Sequence, residues 1–489
     1  MTDVSDISGL LPTATLESAA CDREPARSAA GFNCTAGPAS RSMRRLLLVA
    51  YQFPPVGGAG VQRVTKFVKY LQHFGWQTTV LTVRNPSVPA IDHSLLNDIP
   101  PGTEMLRATT WEPSYAVKSL VTGAAGHPAA SFSTRLQSFA KNSLRTIANC
   151  LLQPDPQILW VPNAIRMGRQ VLDEAPHDAI LASGPPFSTF LVGRALSHET
   201  GLPLVVDYRD EWSLANTYME NRKFGRLASI IQQRQQAGVL RSARAIIATT
   251  RASTANLERA ARRCGSTAQA HCIFNGFDPD DLPLPSATAA EPPSEAPLRL
   301  VYVGTLWKLT SLAPLAAAIR DLSDRSPDLG RRLKLVVAGR RTAEEQDLMV
   351  ALQADTGCVE EIPYLDHTDA VELMRSADLL LVTLAGLPGA ERVLPAKVFE
   401  YLAVRRPMLA IAPRGELWDL LQQHSNAAAF DPTNTVGIAE FLETHLECRG
   451  AGIPLPEPIN HLEGLDRRSQ CGQLAAILEQ VAPAARRPA

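Results

Sequence analysis

Two Rossmann-like, doubly wound α/β domains facing across a cleft are the fold class that the sequence predicts. Short apolar runs alternate with helical patterns in two successive series, a proline-rich stretch separates the series, and each series opens with a strand-loop-helix unit. Alternation of that kind implies parallel strands joined by crossover helices. In the first series, Leu46 to Ala50 is an apolar run, and a turn-rich stretch from Phe53 to Gly60 follows it. Val64, Phe67, Val68 and Leu71 then fall on one helical face, and Thr78 to Val83 forms the next run. Ala179 to Ala182, Leu204 to Asp207 and Ala245 to Ala248 continue the rhythm. The second series places strands at Leu300 to Val303, Leu335 to Ala338, Leu379 to Thr383 and Met408 to Ile411. Leu474, Ile477, Leu478 and Val481 predict a final helix packed on a core already built.

The expected organisation is a disordered tail over 1–42, a first Rossmann-like domain over 43–281, a proline-rich linker over 282–297, a second Rossmann-like domain over 298–465, and a terminal helix and tail over 466–489. Open sheets of this class bind ligands at the carboxyl ends of their strands, so the cleft is the expected site.

Composition narrows the function. With 489 residues and a formal net charge of -1, the chain has material for large cores and no global basic field to recruit nucleic acid. Its 8 cysteines are scattered without a C-x-x-C pair, which argues against a disulfide framework or a zinc site. No apolar run approaches the roughly 20 residues of a membrane span, and the N-terminus lacks the basic start and apolar stretch of a signal peptide. A cytoplasmic location is expected, with contact to one membrane face open.

Gly58-Ala59-Gly60 after the first strand invites a dinucleotide reading, but the third glycine of G-x-G-x-x-G is replaced by Arg63, and Val83-Arg84 stands where an acidic residue belongs. No Walker A sequence occurs. The loop is then either an anion- or hydroxyl-binding turn at a helix start or a tight turn needing positive φ. In Leu394 to Leu402, Pro395 sits near a helix start, and Lys397 and Glu400 share one helical face. A diphosphate suits the lysine and ribose hydroxyls suit the glutamate; an exposed ion pair is the plainer alternative.

Six motifs occur in order. Tyr51 to Arg63, with Lys66 to Leu71 and Gly75-Trp76 behind it, resembles the opening of the group 1 glycosyltransferases (glycosyltransferase family four). Asp207-Tyr208-Arg209-Asp210-Glu211-Trp212 resembles the family's D-x-R-D-x-W loop, and Asn275-Gly276-Phe277-Asp278 its N-G-x-D hinge. Val303 to Trp307, Ala338-Gly339-Arg340 and Pro395 to Leu402 resemble its donor-site loops. The resemblance implies the GT-B fold and a retaining transferase needing neither cofactor nor metal, in which basic side chains and backbone N–H groups neutralise the leaving diphosphate. It implies that Glu400 binds the ribose, that Lys397 lies near the diphosphate and that Gly304 and Thr305 line the phosphate loop. Gly57 and Gly58 would approach from the other domain, and Tyr364 and Leu365 would sit near the base at the end of the third strand. Arg63 and Asp210 are the acceptor-side or catalytic candidates.

The sequence departs from the family at several points. Arg392 stands where the family often has a glutamate, which leaves Glu391 or a neighbouring N–H for the donor hydroxyls. Thr305 and Thr310 replace the usual cations, with Lys308 as the nearest substitute and Arg340 as a second charge. His73 lies on the first helix and is not placed as a catalytic histidine.

Phe132, Leu136, Phe139, Leu144, Ile147 and Leu151 recur at helical spacing with Arg135, Lys141 and Arg145 among them. The 132–152 stretch reads either as a basic face for anionic lipid or as an ordinary surface helix. The expected function is transfer from a UDP- or GDP-sugar to a glycan or lipid-linked glycan acceptor in cell-surface or exported polysaccharide synthesis. A degenerate scaffold that binds without turnover and a GT-B nucleotide-sugar epimerase are the alternatives.

Overall fold

The computed structural model describes residues 43–88, 91–113, 152–214, 225–282, 296–424, 427–453 and 461–482. The expected tail over 1–42, nearly all of the 132–152 stretch and the centre of the proline-rich linker lie outside these residues. No helix among the described residues is long and apolar enough to cross a membrane.

The first sheet has seven parallel strands, β1 (Arg44–Val49), β2 (Trp76–Val83), β3 (Glu104–Ala108), β4 (Ala179–Gly184), β5 (Leu204–Tyr208), β6 (Ala243–Ala248) and β7 (Gln269–Cys272), in the order β3-β2-β1-β4-β5-β6-β7. The crossovers carry α1 (Ala59–Leu71), α2 (Val161–Glu174), α3 (Ser188–Thr200), α4 (Arg226–Ser242) and α5 (Arg251–Arg263). Continuous apolar runs form the central strands because both faces are covered. Leu47 and Val49 enter one core with Phe190 and Trp160, while Leu46 and Leu48 enter the opposite core with Phe67 and Trp76.

The second sheet repeats the design with six strands: β8 (Leu298–Val303), β9 (Leu333–Ala338), β10 (Val359–Ile362), β11 (Leu379–Thr383), β12 (Met408–Ile411) and β13 (Ala427–Phe430), in the order β10-β9-β8-β11-β12-β13. Its helices are α6 (Ala313–Arg325), α7 (Ala343–Thr356), α8 (His367–Arg375), α9 (Lys397–Ala403), α10 (Glu416–Leu421) and α11 (Thr435–Gly450). Leu300 and Tyr302 face one core and Val301 the other. In both sheets the strand order reverses beside the first strand, between β1 and β4 and between β8 and β11. Loops diverge at such switch points and leave a crevice.

The last helix, α12 (Arg467–Val481), returns to the first sheet. Leu474, Ile477 and Leu478 join the core formed by Phe67, Val68 and Leu71 of α1, and Arg44 pairs with Glu479 at 3.3 Å. The chain therefore passes between the domains twice, and the two passages touch. Phe277 bridges Asp466 in parallel, with Arg467 N–H donating to the Phe277 carbonyl at 2.8 Å. Gly276 has no room for a side chain there, because a Cβ would collide with the Leu465 carbonyl and the Gln470 amide. Asp278 fastens this crossing to α1 by accepting from Tyr70 Oη at 2.6 Å and pairing with Lys66 at 2.7 Å. Burial would raise its carboxyl, but these partners and Lys69 lower it to about 2.

Candidate functional site

A cavity of about 430 Å³ lies between the two switch points. Its floor is the second domain. After β8 the chain turns through Gly304 at φ 138, and after β9 through Gly339 at φ 126. These turns touch: a Cβ on Gly339 would overlap the Gly304 carbonyl, so no side chain fits at that contact. Thr310 Oγ1 donates to the Thr305 carbonyl at 2.8 Å and Tyr302 Oη to the same oxygen at 2.9 Å, which fixes the loop shape.

Lys397 rises under this loop. Its Nζ lies 3.7 Å from the centroid of the Tyr302 ring, and a Cβ on Gly304 would approach it to 2.7 Å. Burial lowers its pKa to about 7, with Glu400 pulling the other way. One turn along α9, Glu400 Oε1 is 2.9 Å from His367 Nε2. Burial alone lowers the His367 pKa, but Glu400 and Asp281 outweigh it and raise it above the ordinary histidine range. Arg340 lies over the Tyr364 ring at 5.9 Å, and Tyr364 remains 43% exposed, so an aromatic face is open at the cavity's far end.

The first domain supplies the other wall through Gly58, Gln62, Asp92, Leu95 and Asp210. Gly58 caps α1 at φ 115 with no side-chain cap, so the first amides of this thirteen-residue helix lack a protein side-chain acceptor at that end. The end of β5 and the loop after it distribute five tasks among neighbouring residues. Asp207 is fully buried and accepts from Arg63 Nη2 at 2.9 Å and Ser183 Oγ at 2.7 Å. Arg209 donates to the Gly60 and Pro185 carbonyls and to Gln52 Oε1, fastening the glycine loop. Asp210 projects into the cleft, where the protein around it raises its carboxyl above the ordinary aspartate range against the pull of Arg209. Glu211 turns to the second domain, and Trp212 stacks on Phe187 at 4.7 Å.

A second cavity of about 320 Å³ adjoins the first and is lined by Asp210, Asn275, Ser253, Thr249 and Arg392 among others. Asp210, Trp307, Leu309, Val393, Pro395 and Ala396 line both, so they form the partition.

The larger cavity brings together Gly58, Asp210, Gly304, Thr305, Arg340, Tyr364, Leu365, Lys397 and Glu400 of the residues singled out in the sequence. Arg63 lines only the second cavity and is 1% exposed, its guanidinium committed to Asp207 and the Phe274 carbonyl. Gly57, Lys308 and Glu391 line neither cavity. Lys308 is exposed beside the loop, and Glu391 pairs with Arg392 at 3.2 Å. Lys397 and Arg340 are the cations that line the larger cavity, whereas Lys308, expected as a further cation there, lies outside both cavities. His367, Gln62 and Asp92 were not anticipated. Gln62 lies on α1, Asp92 between β2 and β3, and His367 at the start of α8, and no local spacing connects them.

Among the described residues, Asp98, Asp278 and Asp281 form a carboxylate cluster compact enough for an ion, and Lys66 Nζ occupies its middle at 2.7, 2.7 and 2.8 Å. A lysine held there supplies the compensating charge.

Comparison with known proteins gives two family matches. Residues 57–276 match the model described as glycosyl transferase 4-like domain, and residues 297–447 match glycosyl transferases group 1. No curated protein matches the chain by sequence. Among solved structures, the chain is similar to sucrose-phosphate synthase (tll1590) from Thermosynechococcus elongatus, with 15% identity, a TM-score of 0.56, and coverage of 89% of this chain and 97% of that one. It is also similar to Anabaena Alr3699/HepE in complex with UDP and glucose, with 14% identity, a TM-score of 0.52 and coverage of 90% and 100%. A third is an E. coli protein titled trehalose-6-phosphate, bound with UDP-2-fluoro glucose, with 12% identity, a TM-score of 0.53 and coverage of 90% and 100%.

Proposed function

The chain belongs to the group 1 glycosyltransferases and has their GT-B fold, and from that premise we propose that it is a retaining transferase working without a metal. The donor is a UDP- or GDP-linked sugar. The acceptor is a hydroxyl of a glycan or lipid-linked glycan in cell-surface or exported polysaccharide synthesis, and the enzyme works on the cytoplasmic side. The observation that carries this reading is that Lys397, Glu400 and Tyr364 line one cavity together. Tyr364 offers a face for the base, Glu400 a carboxylate for the ribose hydroxyls, and Lys397 a cation for the diphosphate. The Gly304 loop and the start of α1 add backbone N–H groups, which stabilise charge as the diphosphate leaves. Asp210, on the partition, faces the acceptor hydroxyl from the second cavity. UDP and glucose in Alr3699/HepE, and UDP-2-fluoro glucose in the E. coli protein, support a uridine donor as the first to try.

Calorimetric titration with UDP, GDP and ADP, without added metal, tests the reading. Micromolar binding of one of them is expected, and Glu400→Gln is expected to weaken it by about 1–3 kcal/mol. Absence of binding to all three overturns the donor site and favours a scaffold without turnover.

A further inference from the structure

Arg392, the departure from the family pattern at the donor loop, is turned away from the larger cavity. It ends the short turn Ala390–Arg392 of the second domain. Its Nε donates to Glu211 Oε1 of the first domain at 2.9 Å, and its carbonyl accepts from Thr250 Oγ1 of the first domain at 3.0 Å. Glu211 has a side-chain exposure of 1% and also accepts from Asn256 Nδ2. Nearby, the Ala252 N–H at the start of α5 donates to Glu416 Oε1 of α10. Side chain and backbone of one residue thus bind the donor loop to the opposite domain, beside a third cross-domain bond.

The position of this strap matters because the partition is attached directly to it. Val393, Pro395 and Ala396 come just after Arg392 in the chain, and all three belong to the wall between the two cavities. The nucleotide-facing groups Lys397, Glu400 and Tyr364 lie beyond the partition, and their partners are Tyr302, His367 and Arg340 rather than Arg392. We propose that Arg392 is a positioning residue for transfer: paired with Glu211, it holds the donor loop against the first domain and so sets the spacing between donor and acceptor cavities. The inference rests on the donor and acceptor assignments of the proposed function. Its chemistry is that of a buried carboxylate paired with a half-buried guanidinium. Glu211 is desolvated, so removing Arg392 strands a carboxylate, and the cheapest relief is for the loop to move and admit water. A displacement of about 1 Å between reacting groups costs about 100-fold in rate while leaving separate binding contacts intact.

The variants are Arg392→Gln, Glu211→Gln and the exchange Arg392→Glu with Glu211→Arg, in which Asn256 can turn its amide oxygen towards the new cation. Each is titrated with UDP, GDP and ADP, and each is assayed for nucleoside diphosphate release from the nucleotide-sugar of the base that binds. Both single variants are expected to keep the wild-type nucleotide affinity within about twofold and the KM for donor, and to lose about tenfold or more in kcat. The exchange recovers a substantial part of kcat. A tenfold loss of nucleotide affinity in Arg392→Gln overturns the proposal by making Arg392 a donor contact. Equal turnover in wild type and Arg392→Gln, including none in either, overturns it too, as does an exchange no better than the single variants. A wild type that binds no nucleotide overturns the donor-site reading itself, which separates the two failures.

Discussion

A cation stacked on an aromatic face and half-buried under a glycine turn is poised to change its charge when an anion arrives, and Lys397 is such a group. Its pKa in the free protein is about 7. A bound diphosphate favours the charged form, so the bound pKa lies higher. Linkage then fixes the sign: affinity for the nucleotide is full below pH 7 and falls as pH rises from the free pKa towards the bound one, by up to about tenfold per unit. Calorimetry between about pH 6 and 9 reads this slope, and Lys397→Arg, whose charge is permanent, is expected to flatten it. A wild-type profile as flat as the variant's removes the diphosphate role from Lys397. The glycine contact above it is equally sharp. Gly339→Ala adds a methyl against the Gly304 carbonyl at a positive φ, with an expected cost of about 1–3 kcal/mol in urea unfolding and a weaker nucleotide site.

At the scale of elements, what hydropathy made legible was the interior of each sheet. The central strands of both sheets are buried on two faces and read as unbroken apolar runs. The strands β3, β7, β10 and β13 give no such signal, and all four are sheet edges. Edge strands are half covered, so Glu104, Gln269, His271, Glu360 and Glu361 are tolerated there. Only β10 was reached, and that through family resemblance. The site divides in the same way. Lys397 and Glu400 share a helix and were readable from spacing, whereas His367 meets Glu400 from 33 positions away in the chain. Lys308 was chosen by nearness in sequence, and it stands exposed outside both cavities. The terminal helix was readable as apolar but not where it docks. Because Leu474 is fully buried against α1, Leu474→Ala is expected to cost about 2–5 kcal/mol in chemical denaturation of the first domain. A cost below about 1 kcal/mol would mean that α12 rests on that core without completing it.

At the scale of the molecule, the residues that serve the cleft are separated by function. The second domain supplies most of the larger cavity, and the first supplies the glycine turn and the acidic loop. Neither cavity is complete on one domain alone, since Asp210 and the residues after Arg392 meet only where the domains face each other. The touching passages at Phe277 and Asp466 bear on how the chain comes to exist at all. The second domain begins and ends between them, so it is an insertion into the first. The core on one face of its sheet is complete by Leu446, and Leu462 and Leu465 are only partly buried against the other, whereas the first domain still lacks α12. On the ribosome, the domain that starts later is therefore largely built sooner, and the first domain stays open until α12 has emerged. Cut as fragments, 296–453 should be soluble and helical by circular dichroism, whereas 43–282 should remain unfolded until a peptide spanning 461–482 is added. For this architecture, α12 is the closing step of the domain that the chain began first.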